Sequence, residues 1–234
     1  MNSWVTLGLI LGIMLVASVA LDYELYANNN NYTPLNLSDT PLILYAVNST
    51  NDLNLTMSLS NLSILPGQSI SVVIDESNTL NTTNIVNASD AWPLYLARGP
   101  CGPLNDPMGV AFFKGYYTAS NISSATSLVI YHPGTYNCPA IVYVVCYVFQ
   151  PLSDNATIYG KGWTTNQNVT TLWGGLPFDT WPMSAEVTVN GYWTDSPFDA
   201  LGTSATFHNL EPGVYTVAGG DEWGQLLILH FEVT

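Results

Sequence analysis

The sequence predicts an all-β protein, an immunoglobulin-like antiparallel β-sandwich preceded by an N-terminal signal helix. Three observations predict it. Short apolar or alternating runs recur with turn residues between them, the strand pattern of a sandwich. Helical periodicity is absent beyond residue 20. Hydrophobic residues make up 47% of the 234-residue chain against 9% charged, enough apolar side chain for a real core rather than a disordered stalk.

Residues 4–20 are an uncharged apolar run that ends in Ser18-Val19-Ala20, and small residues at those positions invite signal peptidase. As a helix the run is about 26 Å long against a hydrocarbon core of roughly 30 Å, so cleavage after Ala20 is favoured over a retained anchor. The preceding Met1-Asn2-Ser3 lacks the usual Lys or Arg. Membrane contact is expected only through residues 4–20, and only if the segment is retained.

Residues 21–40 read as a tail. Leu21-Asp22-Tyr23-Glu24-Leu25-Tyr26 alternates as a short strand does, and the asparagines Asn28, Asn29, Asn30 and Asn31 follow as a polar linker. A strand on such a linker is suited to pairing with a sheet edge of a neighbouring subunit, with Leu21, Tyr23 and Leu25 as the assembly residues. An ordinary first strand or a frayed terminus is the alternative.

Residues 41–234 are the expected sandwich domain. Strands are predicted at 42–47, 53–59, 69–75, 110–116, 127–131 and 140–149, then at 156–160, 187–194, 205–208, 214–218 and 226–233. In 53–59 the apolar side chains share one pleat face, which places Asn54 on the solvent face. A phase shift at Ser60-Asn61 implies a turn or bulge before Leu62 and Ile64. Asn190-Gly191 between alternating residues predicts a type I′ hairpin. There is also an internal echo: Pro66-Gly67 precedes Ile70, Val72, Ile74 and Asp75-Glu76, while Pro212-Gly213 precedes Tyr215, Val217 and Asp221-Glu222. It predicts either two related sandwiches or, as favoured here, an early and a late strand of one.

Ten Asn-x-Ser/Thr sequons, at Asn31, Asn36, Asn48, Asn54, Asn61, Asn81, Asn87, Asn121, Asn155 and Asn168, place the chain outside the cell. With 22 Asn and 42 Ser plus Thr, chance would give about four, so glycosylation is expected. Only Arg98, Lys114 and Lys161 are basic against 17 acidic residues, for a formal net charge of −14, which excludes nucleic acid as a partner. The low charged fraction fits a strongly acidic medium, where carboxylates with ordinary pKa of about 4 are protonated and glycans supply hydration. The acid-labile Asp106-Pro107 bond weighs against that medium being hot.

Three cysteines in an exported chain suggest one disulfide and one thiol. Cys101 and Cys138 sit in turn-like settings and are the favoured pair; Cys138 with Cys146 is the alternative. The bridge between Cys101 and Cys138 would contribute about 3–4 kcal/mol on the chain-entropy model. No metal site and no cofactor is expected, since His132, His208 and His230 are scattered and no Cys-x-x-Cys occurs.

Several pieces carry a resemblance: Leu65-Pro66-Gly67-Gln68-Ser69-Ile70 with Asn78-Thr79-Leu80, Gly99-Pro100-Cys101-Gly102, Gly115-Tyr116-Tyr117-Thr118, Asn121-Ile122-Ser123, and Pro212-Gly213-Val214-Tyr215-Thr216-Val217 running into Asp221-Glu222-Trp223-Gly224. In these the chain resembles uncharacterised secreted β-rich proteins of thermoacidophilic archaea. More loosely, export signal, strand-like tail, sandwich and dense sequons look like archaeal thread or pilus subunits, in which a tail strand completes the next subunit's sheet. The resemblance implies an archaeal cell exterior and a homo-oligomer or filament, without an assigned activity.

Two chemistries compete with a structural role. An acid hydrolase could draw paired carboxylates from Asp75, Glu76, Asp179, Glu186, Asp195, Asp199, Asp221 and Glu222. Adjacent Asp-Glu residues on a strand face opposite ways, so the turn-like Asp221-Glu222 is the best candidate, and its plain reading is a hairpin turn with Trp223 covering the sandwich end. A sugar-binding surface could use Trp163, Trp173, Trp181, Trp193 and Trp223, most of which are expected in the core or at its ends. No nucleophile elbow, phosphate loop or copper cluster occurs, and the chain is not expected to be an enzyme.

Overall fold

A computed structural model describes residues 44–96, 107–133, 144–151, 158–159, 162–163, 168–173, 176–194 and 205–234. Within them the chain is all-β. The expected signal helix, the tail with Leu21, Tyr23 and Leu25, and the cysteines Cys101 and Cys138 lie outside the described residues.

The strands follow from the alternation already noted. β1 (Leu44–Thr50) and β2 (Leu53–Leu59) form a hairpin with a two-residue loop, in which Asn51 and Asp52 adopt φ of 56° and 57°. Asn and Asp bear that left-handed conformation better than other non-glycine residues, and it matches the twist of the strands they join. β3 (Ser63–Ile64) follows the phase shift, and the Leu65 to Gln68 turn leads into β4 (Ile70–Asn78). Gly67, at φ 84°, takes the third position of that turn, which Gln68 N–H closes onto Leu65 O at 3.0 Å.

Then come β5 (Asn84–Asn87), β6 (Met108–Lys114), a 3-10 turn over Ile122–Ser124, β7 (Cys146–Phe149), β8 (Ile158–Tyr159), β9 (Gly162–Trp163) and β10 (Asn168–Trp173). The chain ends with β11 (Leu176–Pro182), β12 (Ser184–Val189), β13 (Gly191–Thr194), β14 (Thr206–Asn209), β15 (Gly213–Asp221) and β16 (Leu226–Val233).

Two four-stranded sheets make the sandwich, one in the order β1-β2-β4-β12 and the other β3-β16-β15-β6. All described pairings are antiparallel except β3 with β16. Leu53, Leu55, Met57 and Leu59 of β2, Ile70, Val72 and Ile74 of β4, and Val187 and Val189 of β12 line one inner face. Val110 and Phe112 of β6, Tyr215 and Val217 of β15, and Leu227, Leu229 and Phe231 of β16 line the other. The faces meet closely: a Cβ on Gly219 would lie 2.6 Å from Met57 Sδ. A third sheet, β11-β10-β7-β5, adds Val86, Tyr147, Phe149 and Val169 to the same core. Behind β6 and β15 a smaller cluster of Leu96, Ala111, Phe113, Ile122 and Ala218 covers the outer face.

Three expectations are corrected. The Asn190-Gly191 hairpin does not form: β12 pairs with β4, β13 pairs with β14, and neither Asn190 nor Gly191 has positive φ. Gly191 is required for close approach instead, because a Cβ there would lie 2.2 Å from His208 O and 2.4 Å from the Phe207 ring. The apolar face of β12 is committed to the core, so the chain changes sheet at Asn190 rather than folding back. Residues 127–131 form no strand and contribute a single bridge, Val129 to Trp193. Finally, the polar face of β2 is not a solvent face, since Thr56 and Ser58 are buried and Asn54 is half-buried.

Candidate functional site

The sequence echo resolves into one place. β4 and β15 each alternate apolar residues toward the core from a Pro-Gly corner, and each apolar run ends on a carboxyl: Glu76 after Ile70, Val72 and Ile74, Asp221 after Tyr215, Val217 and Gly219. Because the strands belong to facing sheets, the two carboxyls meet between them, both 0% exposed. Gln225, 1% exposed, bridges them: its Nε2 donates to Asp221 Oδ2 and lies 3.4 Å from Glu76 Oε1.

The two carboxyls are not equivalent. Asp221 Oδ1 accepts the backbone N–H groups of Trp223 at 3.0 Å and Gln225 at 2.8 Å, so with the Gln225 amide three N–H donors converge on it. Of N–H donors Glu76 has only the Gln225 amide, and its other side-chain partner is the Asp221 carboxyl itself. Burial raises both above the ordinary carboxyl range, and the donors on Asp221 oppose its rise. Glu76 is driven well above its ordinary value, by burial first and then by the Asp221 charge. When the pair holds a single proton, the donors on Asp221 favour the charge there and the proton on Glu76. Among the described residues Glu76 Oε2 and Gln225 Oε1 have no hydrogen-bond partner, and a proton on Glu76 supplies a donor where ionisation would add a second negative charge.

Glu222 extends the cluster. Its Oε1 accepts Ser89 N–H at 2.8 Å and its Oε2 accepts the Tyr147 hydroxyl at 3.2 Å, while its backbone joins Pro107 O and Ala91 N–H. Burial pushes its pKa up to about 7 against these hydrogen bonds. Asp75 lies on the opposite face of β4 from Glu76, as alternation requires, yet it is only 2% exposed and burial lifts it to about 6. Lys114 is the one Lys or Arg among the described residues, and it pairs at the surface with Glu211. The buried carboxyls thus have no described cation to pair with.

Trp223 closes this end. Its indole N–H donates to Asn87 O at 2.8 Å, and its ring meets Tyr147 and Phe149 edge-on at 5.4 and 6.1 Å. The turn from Asp221 to Gln225 is therefore a hairpin turn with a tryptophan over the sandwich end, with Gly224 at φ 91°. A proton shared between two carboxyls is the arrangement of acid proteases. Here the carboxyls are 0–6% exposed, and burial favours their protonated forms between the two sheets.

The other predicted residues are dispersed. Asn48, Asn81, Asn87 and Asn121 are exposed, and Asn54 and Asn61 are half-buried. Asn31, Asn36 and Asn155 lie outside the described residues, and of Asn168 only the strand β10 is described. Cys146 of β7 is a free thiol. Trp193 joins His132 at 4.3 Å and Phe207 at 5.1 Å on the β13-β14 ribbon. Among the described residues no helix is long and apolar enough to cross a membrane, and no group of three His, Cys, Asp or Glu could hold a metal ion.

Sequence reasoning paired neighbours along the chain and so missed the pairing of Glu76 with Asp221 across the sheets, and Gln225 with it. The equal spacing from Pro66 to Asp75 and from Pro212 to Asp221 was the signal that could have found it. Comparison with family models, curated proteins and solved structures finds no match for this chain.

Proposed function

We propose that the chain is a secreted, N-glycosylated structural subunit of an archaeal cell-surface assembly or extracellular filament, suited to an acidic medium. The observation that carries this reading is that all six sequon asparagines whose exposure is described are accessible, and none lies in the core. The uncompensated buried carboxyls support the acidic medium, because protonation removes their desolvation cost. Their burial also favours a structural role over an acid hydrolase.

The immunoglobulin-like topology is part of the proposal. The order β2-β4-β12 against β6-β15-β16 follows the A-B-E and C-F-G arrangement, with β3 crossing from the first sheet to pair with β16. Tyr215, near the start of β15, both accepts from Glu211 N–H and donates to Glu211 O at 2.9 Å, a tyrosine corner at the place expected of strand F. In antibody domains strands B and F are joined by a disulfide; here their equivalents are joined by Glu76, Gln225 and Asp221.

Assembly proceeds by addition of residues 21–26 to an open sheet edge of a neighbour, main-chain hydrogen bonds giving affinity and the alternating Leu21, Tyr23 and Leu25 giving register. Electron microscopy of the native surface fraction, and of protein lacking residues 21–30, tests this. The truncated protein should fold and stay monomeric; filaments formed without the tail would sink the mechanism. The aromatic group of Trp193, His132 and Phe207 favours a carbohydrate-binding module as second reading, which predicts a monomer whose tryptophan fluorescence shifts with glycans.

A further inference from the structure

The outer face of the third sheet carries aliphatic side chains and the free thiol. Alternation puts Val86, Tyr147, Phe149, Val169 and Thr171 inward and buried, which turns Ile85, Asn87, Cys146, Val148, Thr170 and Leu172 outward. Ile85 is 65% exposed, and Cys146, Val148 and Leu172 are partly exposed. An unpaired thiol set among exposed aliphatic side chains is a liability for an exported protein, open to oxidation and to cross-linking between copies.

The same face carries a sequon in register with that thiol. Asn87 of β5 lies directly opposite Cys146 of β7, which in turn lies opposite Leu172 of β10, while Ile85 lies opposite Val148. Directly opposed side chains on one face have Cβ atoms about 5 Å apart. The first sugar on Asn87 Nδ2 would project from the position beside Cys146, on the face it would have to cover.

The sequon is also held in place. Asn87 O accepts the Trp223 indole N–H at 2.8 Å, Ala88 N–H donates to Val145 O at 3.0 Å, and Ser89 N–H donates to Glu222 Oε1 at 2.8 Å. The backbone of all three sequon residues is thus fixed by main chain, Trp223 and the carboxyl cluster. The Asn87 side chain itself is exposed.

We propose that an N-linked glycan on Asn87 covers the outer face of the third sheet and shields the Cys146 thiol, making cover by glycan mutually exclusive with disulfide pairing of two copies through Cys146, in which dissolved dioxygen takes up the two thiol protons and two electrons as the S–S bond forms. Pyranose rings place C–H groups against Ile85, Val148 and Leu172 while their hydroxyls face water. The inference rests on the glycoprotein reading above and adds what this one glycan does.

The test uses full-length protein from a glycosylating host. Peptide mass spectrometry reads occupancy at each sequon, and a polyethylene-glycol maleimide reads Cys146 reactivity, assigned by peptide mapping. Ser89→Ala abolishes the sequon and keeps both Asn87 and the Ser89 N–H bond to Glu222; Ser89→Thr keeps the sequon. Glycan on Asn87, labelling about tenfold faster in Ser89→Ala than in wild type or Ser89→Thr, and disulfide-linked dimers in Ser89→Ala that vanish with Cys146→Ser are expected. Equal labelling of wild type and Ser89→Ala overturns the inference, as does fast labelling of Ser89→Thr. Occupied Asn48, Asn81 and Asn121 with bare Asn87 overturns it while leaving the glycoprotein reading intact; no occupied sequon overturns both.

Discussion

Raising the pH should weaken this fold, the opposite of the usual behaviour of a protein with ion-paired carboxylates. Burial lifts Asp75 from 3.8 to about 6 and Glu222 from 4.5 to about 7. In the unfolded chain both return to ordinary values, so between pH 4 and pH 7 the folded state holds more protons than the unfolded one. Stability is therefore greatest below pH 4 and is lost as the pH rises through about 6 and then about 7. Shifts of about two units correspond to up to ~3 kcal/mol for each group, at ~1.4 kcal/mol per unit. Glu76 adds in the same direction. For a domain of this size each kcal/mol moves Tm by roughly 2–4 °C, so Tm at pH 8 should lie on the order of 10 °C or more below Tm at pH 3.5. Urea unfolding followed by tryptophan fluorescence, at intervals from pH 3 to 8, measures the slope directly. Asp75→Asn should remove its share, leaving stability at pH 3.5 unchanged and raising it at pH 7.5. A flat profile, or stability that climbs from pH 4 to 7, would refute the protonated-core argument.

Tyr215→Phe removes the hydroxyl bonded twice to Glu211 without changing the packing of the ring, and should cost about 1–2 kcal/mol in urea unfolding at every pH. Gly191→Ala forces a methyl group into His208 O and the Phe207 ring; a loss of about 2–3 kcal/mol is expected, with a changed near-ultraviolet signal from Trp193 as β13 and β14 separate. Gln225→Leu leaves Glu76 and Asp221 facing each other without the bridging amide. It should steepen the loss of stability as the pH rises while altering stability at pH 3.5 less, a difference that paired urea titrations resolve.

How much of this was legible depended on the range of the interaction. β2 and β16 run over the predicted residues because their alternation is local and bounded by turns. β5 and most of the third sheet were missed, since four residues such as Asn-Ile-Val-Asn give almost no periodic signal and become a strand only by pairing with β7. The Asn190-Gly191 error shows a local turn preference losing to burial: Val187 and Val189 are fixed in the core by β4, and the left-handed hairpin turn falls at Asn51-Asp52 instead. The carboxyl cluster was half legible. Alternation correctly separated Asp75 from Glu76, while the partner of Glu76 lies 145 residues away on the other sheet.

That pairing changes what acid does to the molecule. At pH 7 the chain carries a formal charge of −14, which favours expansion, and its core holds carboxyls whose ionisation is opposed by burial. Protonation acts on both at once: it removes surface repulsion and it removes the cost of burying Asp75, Glu76 and Glu222. A disulfide between strands β4 and β15 would join the sheets at any pH. A proton held by Glu76 against Asp221 and Gln225 joins them only while the proton stays. In acid, solubility must then come from groups that do not titrate, and glycans on the exposed Asn48, Asn81, Asn87 and Asn121, as proposed above, would supply them. On that proposal surface glycans and buried protons are complementary, the first keeping the molecule hydrated under the conditions that the second requires.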